Sequence, residues 1–443
     1  MTALRNTLKQ LTQYRAATVG LIIIGGMVAV AIYAVILWPA ADPIALWRGD
    51  HGVWHETPRT AAPTWFNFFP GVNRPTTIIA DSREVGKTVQ PLAPGISAVE
   101  ILLPVDFYYD DFPPEITVFF EVEFDKVAPS ASLYWLTPDG REICLGSRAA
   151  GPPYRISLDT ALKRRLGGLA PERALFQDPA VEEPLVLRGR YYLRVDGMLF
   201  EEDAELDVRL VVYGQLHGLI GTDHLRRDLT VALLYGTPVA LAFGLLAAVG
   251  ATFSTFVIAA IGVWFGGWRD RLFNWLTQVN IIIPMLPVII MIGHLYTRNI
   301  WSILGVVIAL NVFSASFFIF RSMFLPLKEA PFIEAARAYG AGNFRIICRY
   351  MLPKVFPVLL PTFVIQIPSF VFLEATLAVL GLGDPLLPTW GKLLSDAWAN
   401  GALFLGHFHW VLAPAFVLML IGLGFAMVGF SLDRIVNPRL REI

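Results

Sequence analysis

Six apolar runs of about 20 residues or more divide this chain, and no other feature constrains its fold as much. They cover roughly 18–38, 237–263, 273–295, 300–320, 355–380 and 410–432. A helix rises 1.5 Å per residue, so about 20 residues cross a hydrocarbon layer about 30 Å thick. Backbone polar groups find no water in that layer, and a helix satisfies them within its own segment. The charged fraction is 16%, against about a quarter in soluble domains, and the runs themselves carry almost none of it. The first run follows Arg5, Lys9 and Arg15 and precedes Pro39-Ala40-Ala41. It exceeds the roughly 7–15 apolar residues of a secretory signal, so the expectation is an uncleaved span. A mainly α, polytopic membrane protein with six transmembrane helices is predicted.

Six spans put both termini on one side. Arg269 and Arg271, then Arg337, Arg345 and Arg349, then Arg434, Arg439 and Arg441 share the side of the N-terminus, while Arg298 and Lys392 lie in the opposite short loops. The excess of Arg and Lys marks the cytoplasmic side, so both termini are expected there. The net charge of −1 gives no footprint for nucleic acid. Cys144 and Cys348 are the only cysteines, and the predicted topology separates them across the membrane.

Between the first two spans lie about 180 residues of different character. Glu115–Phe124 alternates, with Ile116, Val118, Phe120, Val122 and Phe124 on one face, and Glu205–Val212 does the same. This period of two belongs to half-buried strands. Tyr191–Val195 is a third strand candidate, and Thr137-Pro-Asp-Gly140 reads as a turn with proline at its second position. A β-rich extracytoplasmic domain, a small sandwich, is expected between helices 1 and 2. Its first residues carry Trp47, Trp54, Trp65, Phe66, Phe68 and Phe69. Such rings suit an interfacial aromatic belt or a docking surface. Asp81–Thr88 ends like a phosphate-binding loop, but Asp81 replaces the first glycine and would repel phosphate, so a surface loop is expected.

The polar stretch Pro331–Pro353 interrupts the apolar pattern. Pro331 suits a helix start, and Glu334 lies in the first turn, where the helix dipole favours an acid. Ala335, Ala336 and Ala338 are strong helix formers with little bulk. Gly340 and Gly342 end the helix, Asn343 is expected to cap a second one, and Pro353 to close it. The second helix is expected to turn Phe344, Ile347 and Met351 toward the membrane and Arg345 and Arg349 away. An amphipathic loop can simply lie on a membrane surface, but such helices prefer bulky apolar groups and many lysines. Small alanines and one glutamate suit insertion into a groove on a partner protein.

The same stretch resembles the E-A-A loop of membrane permease subunits of bacterial binding-protein-dependent ABC importers. Glu334-Ala335-Ala336, Gly340 and the later Leu352-Pro353 fall at that pattern's spacing, with Tyr350 in place of an isoleucine. Other blocks agree in order. Gly221-Thr222-Asp223, Asp228 and Leu234-Tyr235-Gly236 are similar to the lead into the second span of dipeptide, oligopeptide and nickel permeases. Arg226 stands where that family has glycine, and Val231, Ala232 and Pro238 replace polar residues. Phe265–Asp270 resembles its Y-F-G-G-W-x-D turn. Glu374-Ala375, Leu380-Gly381-Leu382-Gly383 and Pro388-Thr389-Trp390-Gly391 resemble the block after span five. Gly429 through Asn437-Pro438-Arg439 is like the family's tail. The likeness covers residues 215–443 well and 1–40 loosely, and it leaves out about 45–210.

The resemblance implies the type I ABC importer permease fold, in the C-type subunit of a short-peptide importer at the bacterial inner membrane. The implied domains are 1–40 with the first span, 41–215 as the insertion, and 216–443 as the permease core with a coupling loop at 327–353. It assigns ATPase coupling to Glu334, Ala335, Ala336, Gly340, Leu352 and Pro353, and the translocation path or gate to Glu374, Gly381, Gly383 and Trp390. Implied partners are a homologous permease subunit, two cytoplasmic ATPase subunits and an extracytoplasmic binding protein. ATP and Mg would sit on the ATPases, so no catalytic site and no cofactor is expected in this chain.

A secondary transporter or channel, not driven by ATP, is the alternative, but such proteins place ionisable groups in mid-span. Here Glu374 falls near one end of span five, as a substrate contact or a helix-end acid. Arg321 falls near the end of span four, where a snorkelling anchor is expected. A receptor with the β domain as sensor would need one or two spans and a signalling domain. His51, His55, His407 and His409 invite a metal reading, but the pair at 407 and 409 suits interfacial packing better, and no metal site is expected.

Overall fold

The computed structural model describes residues 11, 13–37, 42–49, 52–71, 73–181 and 184–436. Arg5, Lys9, Pro39-Ala40-Ala41, His51 and the tail from Asn437 lie outside them. Two compact units divide the chain: residues up to Arg48 together with Val231 onward, and Gly49–Thr230.

The first unit is helical. Its elements are α1 (Arg15–Leu37), α2 (Leu229–Phe265), α3 (Gly267–Ile282), α4 (Met285–Leu295), α5 (Ile300–Asn311), α6 (Ser316–Lys328) and α7 (Pro331–Ala338). They continue with α8 (Asn343–Leu382), α9 (Trp390–Ala399) and α10 (Phe408–Val436). Among the described residues, four helices, α1, α2, α8 and α10, are long and apolar enough to cross a membrane, or up to six if each of two bent pairs counts as one span.

Those pairs depart from the continuous spans that the apolar runs predict. Helices α3 and α4 meet at 81°, and α5 and α6 at 47°. Pro284 has no N–H and biases its predecessor away from the helical region, and Ile283 is extended at φ −69°, ψ 123°. At the second break, the Asn280 side chain donates to the carbonyls of Leu310 (2.8 Å) and Phe313 (3.1 Å), and the Thr255 hydroxyl donates to that of Val312 (2.7 Å). Side chains thus satisfy the carbonyls that the bend releases, as apolar surroundings require.

Pro353 does not end a helix. The chain widens into a π turn over Ile346–Met351 and runs on into Leu352–Leu377. The wider turn relieves the clash between a proline ring and the carbonyl four residues before it. Where α1 crosses α10, a Cβ on Gly20 would lie 2.7 Å from the Gly424 carbonyl, so glycine permits the approach.

The second unit is a sandwich of two antiparallel sheets. Its strands are β1 (Ile78–Asp81), β2 (Lys87–Ala93), β3 (Ile96–Phe107), β4 (Glu115–Glu123), β5 (Ser130–Leu136), β6 (Glu142–Ala149), β7 (Tyr154–Arg155), β8 (Gly189–Leu199) and β9 (Glu205–Tyr213). One sheet has the order β1-β9-β4-β7 and the other β2-β3-β8-β5-β6. Alternate residues Val99, Ile101, Leu103, Val105 and Phe107 of β3 face Ile116, Val118, Leu206, Val208 and Leu210 in a shared core with Trp135, Phe176 and Tyr191. The Thr137 carbonyl accepts from Gly140 N–H (3.0 Å), closing the predicted turn between β5 and β6. Phe124, expected on the buried face of β4, lies beyond that strand and is exposed.

The loop that ends like a phosphate-binding motif is structural. The Asp81 carboxylate accepts from Arg83 N–H, Gly86 turns at φ 94°, and Lys87 pairs with Asp207 at 3.1 Å. Residues 216–230 group with this unit rather than with the helices.

Candidate functional site

The short helix α7 is fixed from behind and open in front. Ile333 and Ala336 are buried, and Ile333 packs in a cluster with Phe256, Val263 and Trp264 of α2, Phe320 and Phe324 of α6, and Ile347 and Met351 of α8. The Arg337 guanidinium lies over the Trp264 ring at 4.4 Å, and Lys328 donates to the Val263 carbonyl at 2.9 Å. Gly340 adopts φ 77°, and the Ala341 N–H reaches the Ala336 carbonyl at 3.0 Å, which closes the helix with a left-handed residue. Nothing lies within 4 Å of a Cβ built on Gly340, so the left-handed backbone alone restricts this position.

The outward face holds Phe332, Glu334, Ala335, Ala338 and Tyr339. Ala336, expected among the small docking residues, faces inward instead. Asn343 is not the cap of the next helix, since Gly342 holds that place and the Asn343 amide oxygen accepts from Trp264 Nε1 at 3.1 Å. Ile347 and Met351, expected to face the membrane, are buried in that cluster instead, and Phe344 is 80% exposed and joins the outward surface. Leu352 is half-buried, and Pro353 is exposed at the start of the regular part of α8.

The residues expected on the translocation path converge at the other end of α8. A π turn over Ala378–Leu382 contains Gly381 at φ 90°, which ends the helix and returns the chain toward α9. Gly383 permits the return, since a Cβ there would lie 3.2 Å from that of Ala378. Glu374 is buried and accepts from the Thr389 hydroxyl at 2.9 Å, while Thr389 caps α9 by accepting from Lys392 N–H. Trp390 is fully buried, and its Nε1 donates to the Leu233 carbonyl of α2 at 3.0 Å. A Cβ on Gly236 would lie 2.7 Å from Trp390 Cδ1, and one on Gly391 would lie 2.8 Å from Ala375 Cα. Glu374, Gly383 and Trp390 lie in a packed joint between α2, α8 and α9, in which Glu374 is spent on Thr389, while Gly381 is exposed at the turn beside it.

The lead into α2 is a tight hydrogen-bonded knot. Gly221 has φ 96°, and its carbonyl accepts from Leu229 N–H. The buried Thr222 hydroxyl donates to the Pro58 carbonyl at 2.7 Å and accepts from Ala61 N–H at 2.9 Å. Asp223 is buried and accepts from Leu225 N–H, Arg227 N–H and Arg227 Nε. Asp228 caps α2 by accepting from Thr230 N–H at 2.8 Å. Arg226 adopts φ 68°.

Two features of the helical unit carry no local signal in the sequence. Arg321 is not a snorkelling anchor: its guanidinium forks onto Asp270 with contacts of 2.9 and 2.6 Å, across 51 residues of chain. The contact of Gly236 with Trp390 joins two motif residues 154 positions apart. Among the described residues, no group of three or more His, Cys, Asp or Glu side chains could hold a metal ion, and the His407 and His409 rings simply meet edge to face at 6.2 Å.

Residues 240–442 match the family of binding-protein-dependent transport system inner membrane components. The chain is 30% identical over 226 residues to the dipeptide transport system permease protein DppC of Alkalihalophilus pseudofirmus, covering 50% of this chain and 72% of that one. It is 30% identical over 246 residues to the oligopeptide transport system permease protein OppC of Mycobacterium bovis, covering 55% and 82%. It is 31% identical over 236 residues to the glutathione transport system permease protein GsiD of Escherichia coli, covering 50% and 72%.

Proposed function

Because the chain belongs to the family of binding-protein-dependent transport system inner membrane components, we propose that it forms half of the translocation path of an ATP-driven importer of short peptides. The peptide reading is supported by relatives named for dipeptide, oligopeptide and glutathione transport. In this reading each bent pair is one span, so six helices cross the inner membrane with both termini in the cytoplasm. The sandwich then stands outside the cytoplasm, between the first and second spans. A homologous permease subunit completes the path, two ATPase subunits bind ATP and Mg, and a binding protein delivers the substrate.

The observation that carries the mechanism is the exposed face of α7. Phe332, Glu334, Ala335 and Ala338 stand on a helix whose back is buried at Ile333 and Ala336, with Tyr339 and Phe344 exposed just beyond its end. An ATPase groove that holds this face can push on α2, α6 and α8 together, because all three pack behind it. Gly340 sets the turn, and Leu352 and Pro353 lead into α8. At its far end α8 carries Glu374 and Gly381 and leads into Gly383, and Glu374 is bonded to Thr389 beside Trp390. A displacement of α7 therefore reaches that joint along one helix, and the two arrangements of the path are biased by ATP and substrate.

Uptake by proteoliposomes holding the chain with its partner subunits and binding protein tests this reading. Labelled dipeptide or tripeptide should accumulate only with ATP inside and binding protein outside. Uptake driven by an ion gradient without ATP would replace this reading with the secondary-transporter alternative.

A further inference from the structure

We propose that Trp65, Phe68, Phe69 and Leu219 form a lipid-contacting foot of the β unit, which rests in the headgroup region of the bilayer. Thr64–Phe68 is a short 3-10 helix with no buried residue. Phe68 is 88% exposed, Leu219 70% and Phe69 56%. An isolated exposed apolar side chain is ordinary, whereas a contiguous patch marks a contact surface. Here three rings are contiguous, with Phe68 between them in sequence: Trp65 meets Phe66 edge-on at 4.6 Å and lies 6.1 Å from Phe69.

The patch is tied to the place where the chain becomes apolar. Thr64 N–H and its hydroxyl both donate to the Gly218 carbonyl, and Trp65 Nε1 donates to that of Leu219 at 3.0 Å. Gly218 lies against the Asp228 carboxylate, where a Cβ would sit 3.1 Å from Oδ2. Asp228 in turn caps the first turn of α2, an apolar helix of 37 residues. Since this is a membrane protein with α2 among its spans, that turn marks where the chain meets the bilayer, and Trp65 lies a few hydrogen bonds from it.

The chemistry favours lipid over a protein partner. Protein interfaces carry about one hydrogen bond per 100–200 Å². The one polar side-chain atom of the patch, Trp65 Nε1, is already engaged with Leu219. What remains outward is ring and aliphatic surface, which suits the interfacial belt. Arg74 is exposed and held beside it, its N–H and carbonyl both bonded to the Asn67 amide at 3.0 Å. Its charge complements lipid phosphates.

The test uses the full chain in nanodiscs of phosphatidylethanolamine and phosphatidylglycerol, with Cys144→Ser and Cys348→Ser as background. A nitroxide at Phe68→Cys, a second at Phe69→Cys, and a control at Val89→Cys on the exposed strand β2 are compared. Collisions with oxygen report lipid, and those with a water-soluble nickel chelate report solvent. The oxygen-to-nickel ratio should be several-fold higher at 68 and 69 than at 89. Equal ratios at all three sites would overturn the proposal. So would labels at 68 and 69 that meet water in the nanodisc and are shielded only once partner subunits or a binding protein are added.

Discussion

The guanidinium of Arg226, in the segment leading into α2, reaches the carboxylate of Glu115 at the start of β4. Arg226 also donates to the Thr57 carbonyl at 2.7 Å, stacks over the Tyr213 ring at 4.2 Å, and holds φ 68°. The left-handed conformation explains why glycine stands here in the family that the lead-in resembles. In this chain the strain of an arginine is offset by its clamp on the sandwich. Arg226→Ala keeps the strained backbone and loses the clamp, whereas Arg226→Gly loses only the clamp. Thermal unfolding of the full chain in detergent should therefore show alanine less stable than glycine by about 1 kcal/mol. Glu115→Gln should cost about 2 kcal/mol by removing the charge from a half-buried charged pair. Equal stability of the alanine and glycine variants would remove the strain from this account.

The packing of Trp390 on Gly236 predicts a penalty that helix propensity cannot explain. Replacing a glycine inside a helix with alanine ordinarily stabilises by about 1 kcal/mol. Here the new methyl would press on the indole, so Gly236→Ala should destabilise by about 1–3 kcal/mol. Combining it with Trp390→Leu should recover part of that loss, and a double-mutant cycle on unfolding in detergent measures the coupling. Additive effects would mean that the two residues do not meet.

The Asp270–Arg321 fork predicts a marked difference between two conservative-looking changes. Arg321→Lys retains a charge but not the two parallel hydrogen bonds, and should retain part of the stability. Arg321→Met leaves Asp270 with the Asn274 amide and only the Coulombic attraction of Lys328, and should lower yield and thermal stability more. Combining Asp270→Asn with Arg321→Met should be milder than Arg321→Met alone. Size-exclusion chromatography after a heating series reads all three.

Much of this fold was legible in the sequence, and what was not has identifiable reasons. Length and apolarity mark the helices, but hydropathy does not report that α3 and α4 meet at 81° beside Pro284 or that Asn280 repairs the next break. Alternation marks β4, β8 and β9. The same alternation runs through β3, the longest strand, but Pro104 interrupts its reading as a strand. The spacing of Glu334 and Gly340 locates α7 and its turn. It does not separate outward Ala335 from inward Ala336, because that depends on Trp264 and Phe324 packing behind the helix. Glu374 and Trp390 belong to recognisable blocks, yet only the folded chain shows Thr389 consuming the carboxylate and Leu233 the indole N–H. Such partners lie 15 and 157 residues away.

The central claim is that ATPase motion enters through the exposed face of α7. Its most direct measurement is binding-protein-stimulated ATP hydrolysis and peptide uptake by the reconstituted complex carrying Ala335→Arg. This side chain is exposed, so the chain should insert and fold as before. The new charge would have to be buried in a groove that receives a methyl group, which is strongly unfavourable. Stimulated hydrolysis and uptake should both fall at least tenfold, with less ATPase recovered alongside the membrane subunits. Hydrolysis and uptake at the parent level, with ATPase still bound, would contradict the account and place the coupling surface elsewhere on the chain.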